Sequence, residues 1–214
     1  VKRFFITFEG IEGCGKTTQM HLLKDFLEQR GYAVTATREP GGTSLGDTIR
    51  KILLDSRNVT IDTKTELLLY EASRAQHVHE VIRPALERGD IVLCDRYTDA
   101  TLAYQGVAQG ILIEVVENLN QFATDYLTPD FTILIDCPAE IGLERALRRT
   151  HTSSHEVSED RFEKKSIAFH QKVRWGYLQL AERYVHRIYI ADGREEPSRV
   201  HQEIKNVVLA KLEG

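Results

Sequence analysis

Short apolar runs recur along the chain at Phe4 to Phe8, Ala33 to Thr37, Ile91 to Cys94, Phe131 to Ile135 and Ile188 to Ala191. None alternates cleanly between apolar and polar residues, as expected of strands covered on both faces, and helical periodicity fills the intervals. The pattern predicts an α/β fold of the doubly wound kind: a five-stranded parallel sheet with helices on both faces. Leu22, Leu23, Phe26 and Leu27 form one helical stripe, which Gly31 can end in the left-handed conformation. Ser44 followed by Asp47 resembles a capping box, and Leu45, Ile49, Ile52 and Leu53 carry a helix near 44–54 behind it. Residues 63–88 read as a further helical stretch stopped by Gly89, with Pro84 predicting a kink or break.

Pro138 sits at an expected N1 position, ahead of a helix carrying Ile141, Leu143 and Leu147. Thr150 to Ser158 has no apolar periodicity and reads as a mobile loop, within a lid placed at about 148–160. A long helix is predicted from about Ser158 to Tyr184, with Phe162, Phe169, Val173 and Leu180 toward the core, and a final helix near 198–212.

The length of 214 residues suits one domain, 1–214, with a full core. A formal net charge of -4 argues against nucleic-acid polymers or an anionic membrane surface as partners, so any basic site must be local. Cys14, Cys94 and Cys137 are odd in number and widely spaced, which disfavours a disulfide framework. No apolar run approaches the roughly 18 residues of a membrane span. These features predict a cytoplasmic protein.

The strongest chemical signal is Gly10-Ile11-Glu12-Gly13-Cys14-Gly15-Lys16-Thr17, followed by Thr18, between a predicted strand and a predicted helix. Glycines let the backbone curl so that successive N–H groups point inward, and the helix adds its positive end, the requirements of a triphosphate cradle. Lys16 is expected to reach the β- and γ-phosphates and Thr17 to ligate Mg²⁺. Cys14 reads as a small filler, because phosphoryl transfer from ATP needs no protein nucleophile. A carboxylate in such a turn is electrostatically costly, so Glu12 reads as functional. Asp95 ends an apolar strand where ligands of parallel sheets bind, and can act near Mg²⁺; a surface ion pair is the alternative. Arg96 follows it directly.

Tyr70 with Arg74, and Thr101 with Gln105, are spaced to share helix faces. A ring beside a planar cation can stack a base and bind its edge, although each pair taken alone reads first as ordinary helix surface. His151 and His155 have metal-ligand spacing, but no glutamate completes a zinc-protease pattern, and a solvated loop explains them.

Taken together, Phe8-Glu9-Gly10 with the phosphate loop, Arg38-Glu39-Pro40-Gly41-Gly42, Asp95-Arg96-Tyr97 and Ala103-Tyr104-Gln105-Gly106 resemble bacterial thymidylate kinases, in order and over nearly the whole chain. The resemblance implies transfer of the γ-phosphoryl group of ATP to dTMP in a homodimer. By position, Tyr70 would stack on thymine while Arg74, Thr101 and Gln105 contact its edge. Arg50 and Arg96 would hold the acceptor phosphate, Tyr104 would lie against the sugar, and Glu39, Pro40 and Gly41 would wall the space between the nucleotides. Glu12 would sit near the 3'-hydroxyl. The family draws its lid arginine from the phosphate loop or from the lid; this loop has none, and Arg145, Arg148 and Arg149 run into the expected lid, with Arg148 and Arg149 nearest to it. Arg161 is either a further lid arginine or a structural ion pair. A kinase of another nucleoside monophosphate would share the loop and Asp95, differing at the base pocket. A GTPase switch would carry an Asn-Lys-x-Asp motif, which this sequence lacks.

Overall fold

The computed structural model describes residues 3–58, 60–152 and 161–213, with 149–152 described by their backbone alone. Five strands, β1 (Phe4–Glu9), β2 (Val34–Arg38), β3 (Ile91–Asp95), β4 (Phe131–Asp136) and β5 (Ile188–Asp192), form one sheet in the order β2-β3-β1-β4-β5. Every pairing is parallel. The central strand β1 is buried along its whole length, whereas the edge strands β2 and β5 are largely half-covered. The apolar runs therefore fall on strands as expected, with burial most complete in the middle of the sheet. Completely buried Ile6, Phe8, Leu93 and Ile133 belong to one core cluster, each side chain contributing on the order of 1.5–3 kcal/mol by leaving water.

The helices are α1 (Lys16–Gln29), α2 (Ser44–Leu54), α3 (Thr63–His77), α4 (Arg83–Glu87), α5 (Thr98–Thr101), α6 (Ile113–Thr124), α7 (Ala139–Thr152), α8 (Ile167–Arg183) and α9 (Pro197–Glu213). Gly31 (φ 84°) ends α1, its neighbour Tyr32 donating from N to the Leu27 carbonyl. At α2 the capping hydroxyl belongs to Thr43 and not Ser44: Thr43 Oγ1 accepts from Gly46 N at 2.9 Å. Asp47 instead accepts from Gly42 N at 3.3 Å. The stretch 63–88 is not one α-helix, because a π turn, Val78–Ile82, separates α3 from α4. It lies immediately ahead of Pro84, whose missing N–H and bulky ring disrupt the regular ladder at that point. Pro138 is one residue outside α7, its carbonyl accepting from Gly142 N at 3.0 Å.

The helix expected from about Ser158 begins at Ile167 instead, capped by Ser166, whose Oγ accepts from Phe169 N at 3.3 Å. Residues 161–165 are turns. Their geometry follows from where they are tied: Arg161 N donates to the Leu54 carbonyl at 3.3 Å, and His170 Nε2 lies 3.0 Å from the Phe162 carbonyl. Between β3 and β4, α5 runs into a second π turn, Leu102–Ala108, before α6. The expected lid lies largely outside the described residues, as do His155 and the side chains of His151 and Arg149.

Candidate active site

The phosphate loop follows β1 and ends at α1, so the sheet edge and the helix N-terminus meet at one place. Gly15 caps α1 with φ 105°, a value that favours glycine. At Gly13, with φ 70°, an added Cβ would lie 1.9 Å from the Gly142 carbonyl oxygen, so the loop packs directly on the backbone of α7. Lys16 Nζ is turned into the loop, donating to the carbonyls of Gly10 at 2.9 Å and Ile11 at 2.7 Å. Thr17 Oγ1 donates to Asp95 Oδ2 at 2.6 Å, joining the first turn of α1 to the end of β3. This hydroxyl and carboxylate offer the hard oxygen ligands that suit Mg²⁺.

Arg96 occupies the left-handed region, φ 72°, which costs a non-glycine residue roughly 1–2 kcal/mol. Its guanidinium recovers that in bonds, from Nη1 to the Gly10 carbonyl at 3.0 Å and Tyr177 OH at 3.1 Å, and from Nη2 to Glu12 Oε1 at 3.0 Å and Tyr104 OH at 3.1 Å. Tyr104 OH in turn donates to Glu12 Oε1 at 2.6 Å, and Arg96 stacks over the Tyr104 ring at 4.9 Å. His170 Nδ1 faces Glu12 Oε2 at 3.1 Å. Burial alone would raise the Glu12 pKa, but Arg96, His170 and Lys16 outweigh it and hold the carboxyl well below the usual range. The carboxylate is thus turned from the loop toward Arg96 and Tyr104.

Glu9 is buried beneath this group. Its Oε1 accepts from Tyr97 N at 2.7 Å and its Oε2 from Tyr177 OH at 2.8 Å. Burial, with Asp99 adding to it and Arg96 opposing, pushes its pKa up to about 8.

On the other wall Arg74, only 1% exposed, spends its N–H groups on five contacts. Nε donates to Glu39 Oε2 at 2.8 Å; Nη1 to Glu71 Oε1 at 2.7 Å and Asn120 Oδ1 at 2.6 Å; Nη2 to the Tyr97 carbonyl at 3.1 Å and Thr101 Oγ1 at 2.9 Å. A guanidinium has five N–H groups, so a ligand bond here requires an exchange of partners. Glu39 also meets His77 Nδ1 at 3.0 Å; burial raises its pKa, and Arg74 and His77 bring it below the ordinary value. Glu71 is pushed up by burial despite Arg74. The Glu39–Pro40 peptide is cis, and Arg50 Nη1 donates to the Pro40 carbonyl at 3.1 Å.

These walls enclose one cavity of about 590 Å³, lined by Glu12, Gly13 and Gly15 to Thr18 of the phosphate loop, by Glu39, Pro40 and Arg50, and by Tyr70, Arg74, Asp95, Arg96, Thr101, Tyr104 and Gln105; Cys14 is buried behind the loop. The two helix-face pairs and the loop, remote in sequence, meet there. Arg145 and Arg148 do not line it: Arg145 Nη1 donates to the Gly193 carbonyl at 2.7 Å and Arg148 Nη2 to Glu144 Oε1 at 2.6 Å. Arg161 is a buried structural ion pair with Glu66, its Nε bonded to the Leu53 carbonyl at 2.6 Å. Sequence reasoning missed Glu66, Glu71, His77, Asn120, His170 and Tyr177. Each lies in a helix among other polar residues, with nothing in the local pattern to single it out, and only the folded chain shows its partner; Glu9 stood within a motif but without a role.

A phosphate-binding loop on a parallel sheet, opening into an acceptor-sized cavity lined by arginines, defines a P-loop phosphotransferase. The family model described as thymidylate kinase matches residues 8–204. Similar relatives include a thymidylate kinase of Citrifermentans bemidjiense, 59% identical over 89% of this chain and 84% of its own length, and one of Geobacter sp. (strain M21), 58% identical over 99% and 93%. The crystal structure of thymidylate kinase from Ehrlichia chaffeensis superposes with a TM-score of 0.77 at 34% identity, covering 97% of this chain and 99% of that one. The chain belongs to the thymidylate kinase family, and its activity is that of a dTMP kinase, forming dTDP and ADP from dTMP and ATP.

Proposed function

We propose that both nucleotides of this reaction occupy the one cavity, with the triphosphate of ATP over Gly10 to Thr18 and dTMP between Tyr70, Arg74, Thr101, Tyr104 and Gln105. The observation that carries this reading is the continuity of the cavity from Lys16 to Gln105. Lys16 exchanges its carbonyl partners for β- and γ-phosphate oxygens. Arg96 and Arg50 offset the repulsion between acceptor and donor phosphates, while Glu12, held by Arg96 and Tyr104, lies toward the deoxyribose. Tyr104 bounds the sugar, and Glu39 to Gly41 separate the two nucleotides. The acceptor phosphate oxygen attacks in line, and the chain contributes position and charge, without a covalent intermediate. Thr17 and Asp95 would hold Mg²⁺, which supplies neutralisation of phosphate charge when bound. Arg148, which pairs with Glu144 in this structure, and Arg149 would come onto the transferring group as a lid at about 148–160 closes over this single kinase domain.

The protein acts as a cytoplasmic homodimer in this reading. Leu112, Val115, Phe122 and Tyr126 are exposed along α6 and its flanks, Phe122 at 85%, an apolar stripe suited to a second copy. Among the described residues no helix is long and apolar enough to cross a membrane, and the three cysteines are free. Tyr70→Ala and Lys16→Ala test the division of the cavity. Tyr70→Ala is expected to weaken dTMP binding with ATP binding retained, and Lys16→Ala to lower kcat by about 10²–10³-fold. Parallel losses of both nucleotides in Tyr70→Ala would contradict the assignment.

A further inference from the structure

The base-edge wall contains an amide whose direction is set from behind. Gln105 lines the cavity, and its Nε2 donates to Glu66 Oε1 at 2.7 Å. The same oxygen accepts from Gln109 Nε2 at 2.6 Å, while Glu66 Oε2 pairs with the Arg161 guanidinium. Arg161 is itself anchored to the Leu53 carbonyl and lies over the Phe162 ring, so the carboxylate is fixed at both oxygens. A carboxylate paired with a guanidinium offers acceptors only. Were Gln105 inverted, its carbonyl oxygen would face that carboxylate, acceptor against acceptor, and a buried bond would be lost. Charge therefore decides which end of the amide faces inward.

We propose that Glu66 is a positioning residue for base selection: by holding the amide nitrogen of Gln105 it leaves Gln105 Oε1 as a hydrogen-bond acceptor for the N3–H of the pyrimidine. The proposal rests on the placement of thymine against Gln105. Thymine carries a proton at N3, whereas cytosine presents a lone pair there, which would meet the lone pairs of Oε1. Sites built around one polar contact reject analogues that leave it unpaired. The conformation of a single amide thus separates two pyrimidines of nearly equal shape, and Glu66 acts without touching either.

The test compares kcat/KM for dTMP and dCMP, with thermal melting, in wild type, Glu66→Gln, Glu66→Gln/Arg161→Met and Gln105→Leu. The double variant leaves no unpaired buried charge, which guards against simple unfolding of the single one. Both Glu66 variants are expected to lower the dTMP-to-dCMP preference about tenfold, chiefly through KM for dTMP, because the amide is then free to invert. A purely structural role would lower both activities and leave the ratio intact, and that result would overturn the proposal. An unchanged ratio in Gln105→Leu would instead overturn the placement of the base itself. In wild type, N3-methyl-dTMP, which lacks the N3–H and keeps both carbonyls, is expected to bind at least about tenfold more weakly than dTMP; equal affinity would refute the acceptor role whatever the variants do.

Discussion

Arg74 shows how much of this site is held by single side chains. Its guanidinium balances the buried carboxylates of Glu39 and Glu71 and stacks near Tyr97 at 5.5 Å, so it is a strut as well as a wall. Arg74→Ala leaves both acids without their countercharge and is predicted to destabilise the fold by about 3–5 kcal/mol in denaturant titration. In whatever fraction stays folded, dTMP affinity falls further than ATP affinity; a stability change below about 1 kcal/mol would rule out the strut role. Glu9 makes a second prediction. Its carboxyl, pushed by burial and Asp99 from 4.5 up to about 8, keeps a proton that the unfolded chain releases. Stability from this group is complete below the unfolded value of 4.5 and is lost as pH rises through about 8. Unfolding free energies measured across that window are expected to fall with pH in wild type and to fall less steeply in Glu9→Gln. Identical slopes would contradict the raised pKa.

Among the elements, legibility follows the kind of interaction that forms them. The strands were readable because continuous apolar runs have few other uses in a chain this polar, and Gly31 and Gly89 marked helix ends because the positive φ they adopt favours glycine. Side-chain-to-backbone bonds were harder: Thr43 rather than Ser44 caps α2, a choice between adjacent hydroxyls that local pattern does not separate. The start of α8 was hidden for another reason. Arg161 and Phe162 are bound to α2 and to His170, tertiary partners that override the apolar periodicity running through them. The α6 stripe presents an unmet apolar face. Phe122→Glu is predicted to shift the protein to monomer in sedimentation velocity, since a charge there is incompatible with a dry interface. An unaltered sedimentation coefficient would place the interface elsewhere.

For the whole molecule, the sheet order places the ends of β1 and β3 side by side, and with them the phosphate loop, Asp95 and Arg96. That juxtaposition converts motifs separated by some eighty positions into direct contacts such as Thr17 with Asp95 and Glu12 with Arg96. The motif residues were legible because phosphate chemistry demands glycine, lysine and hydroxyl at fixed spacing. The network beneath them was not, because Glu9, Tyr177 and His170 find their partners only across the folded core. In the proposed arrangement one cavity joins an ATP cradle to a pocket selecting dTMP. It is tested most directly by ADP formation with Mg-ATP against dTMP, dUMP, UMP, CMP, AMP and GMP at matched concentrations. Turnover is expected to be fastest with dTMP and slight with any ribonucleotide; a ribonucleotide turned over faster than dTMP would rule out such a pocket.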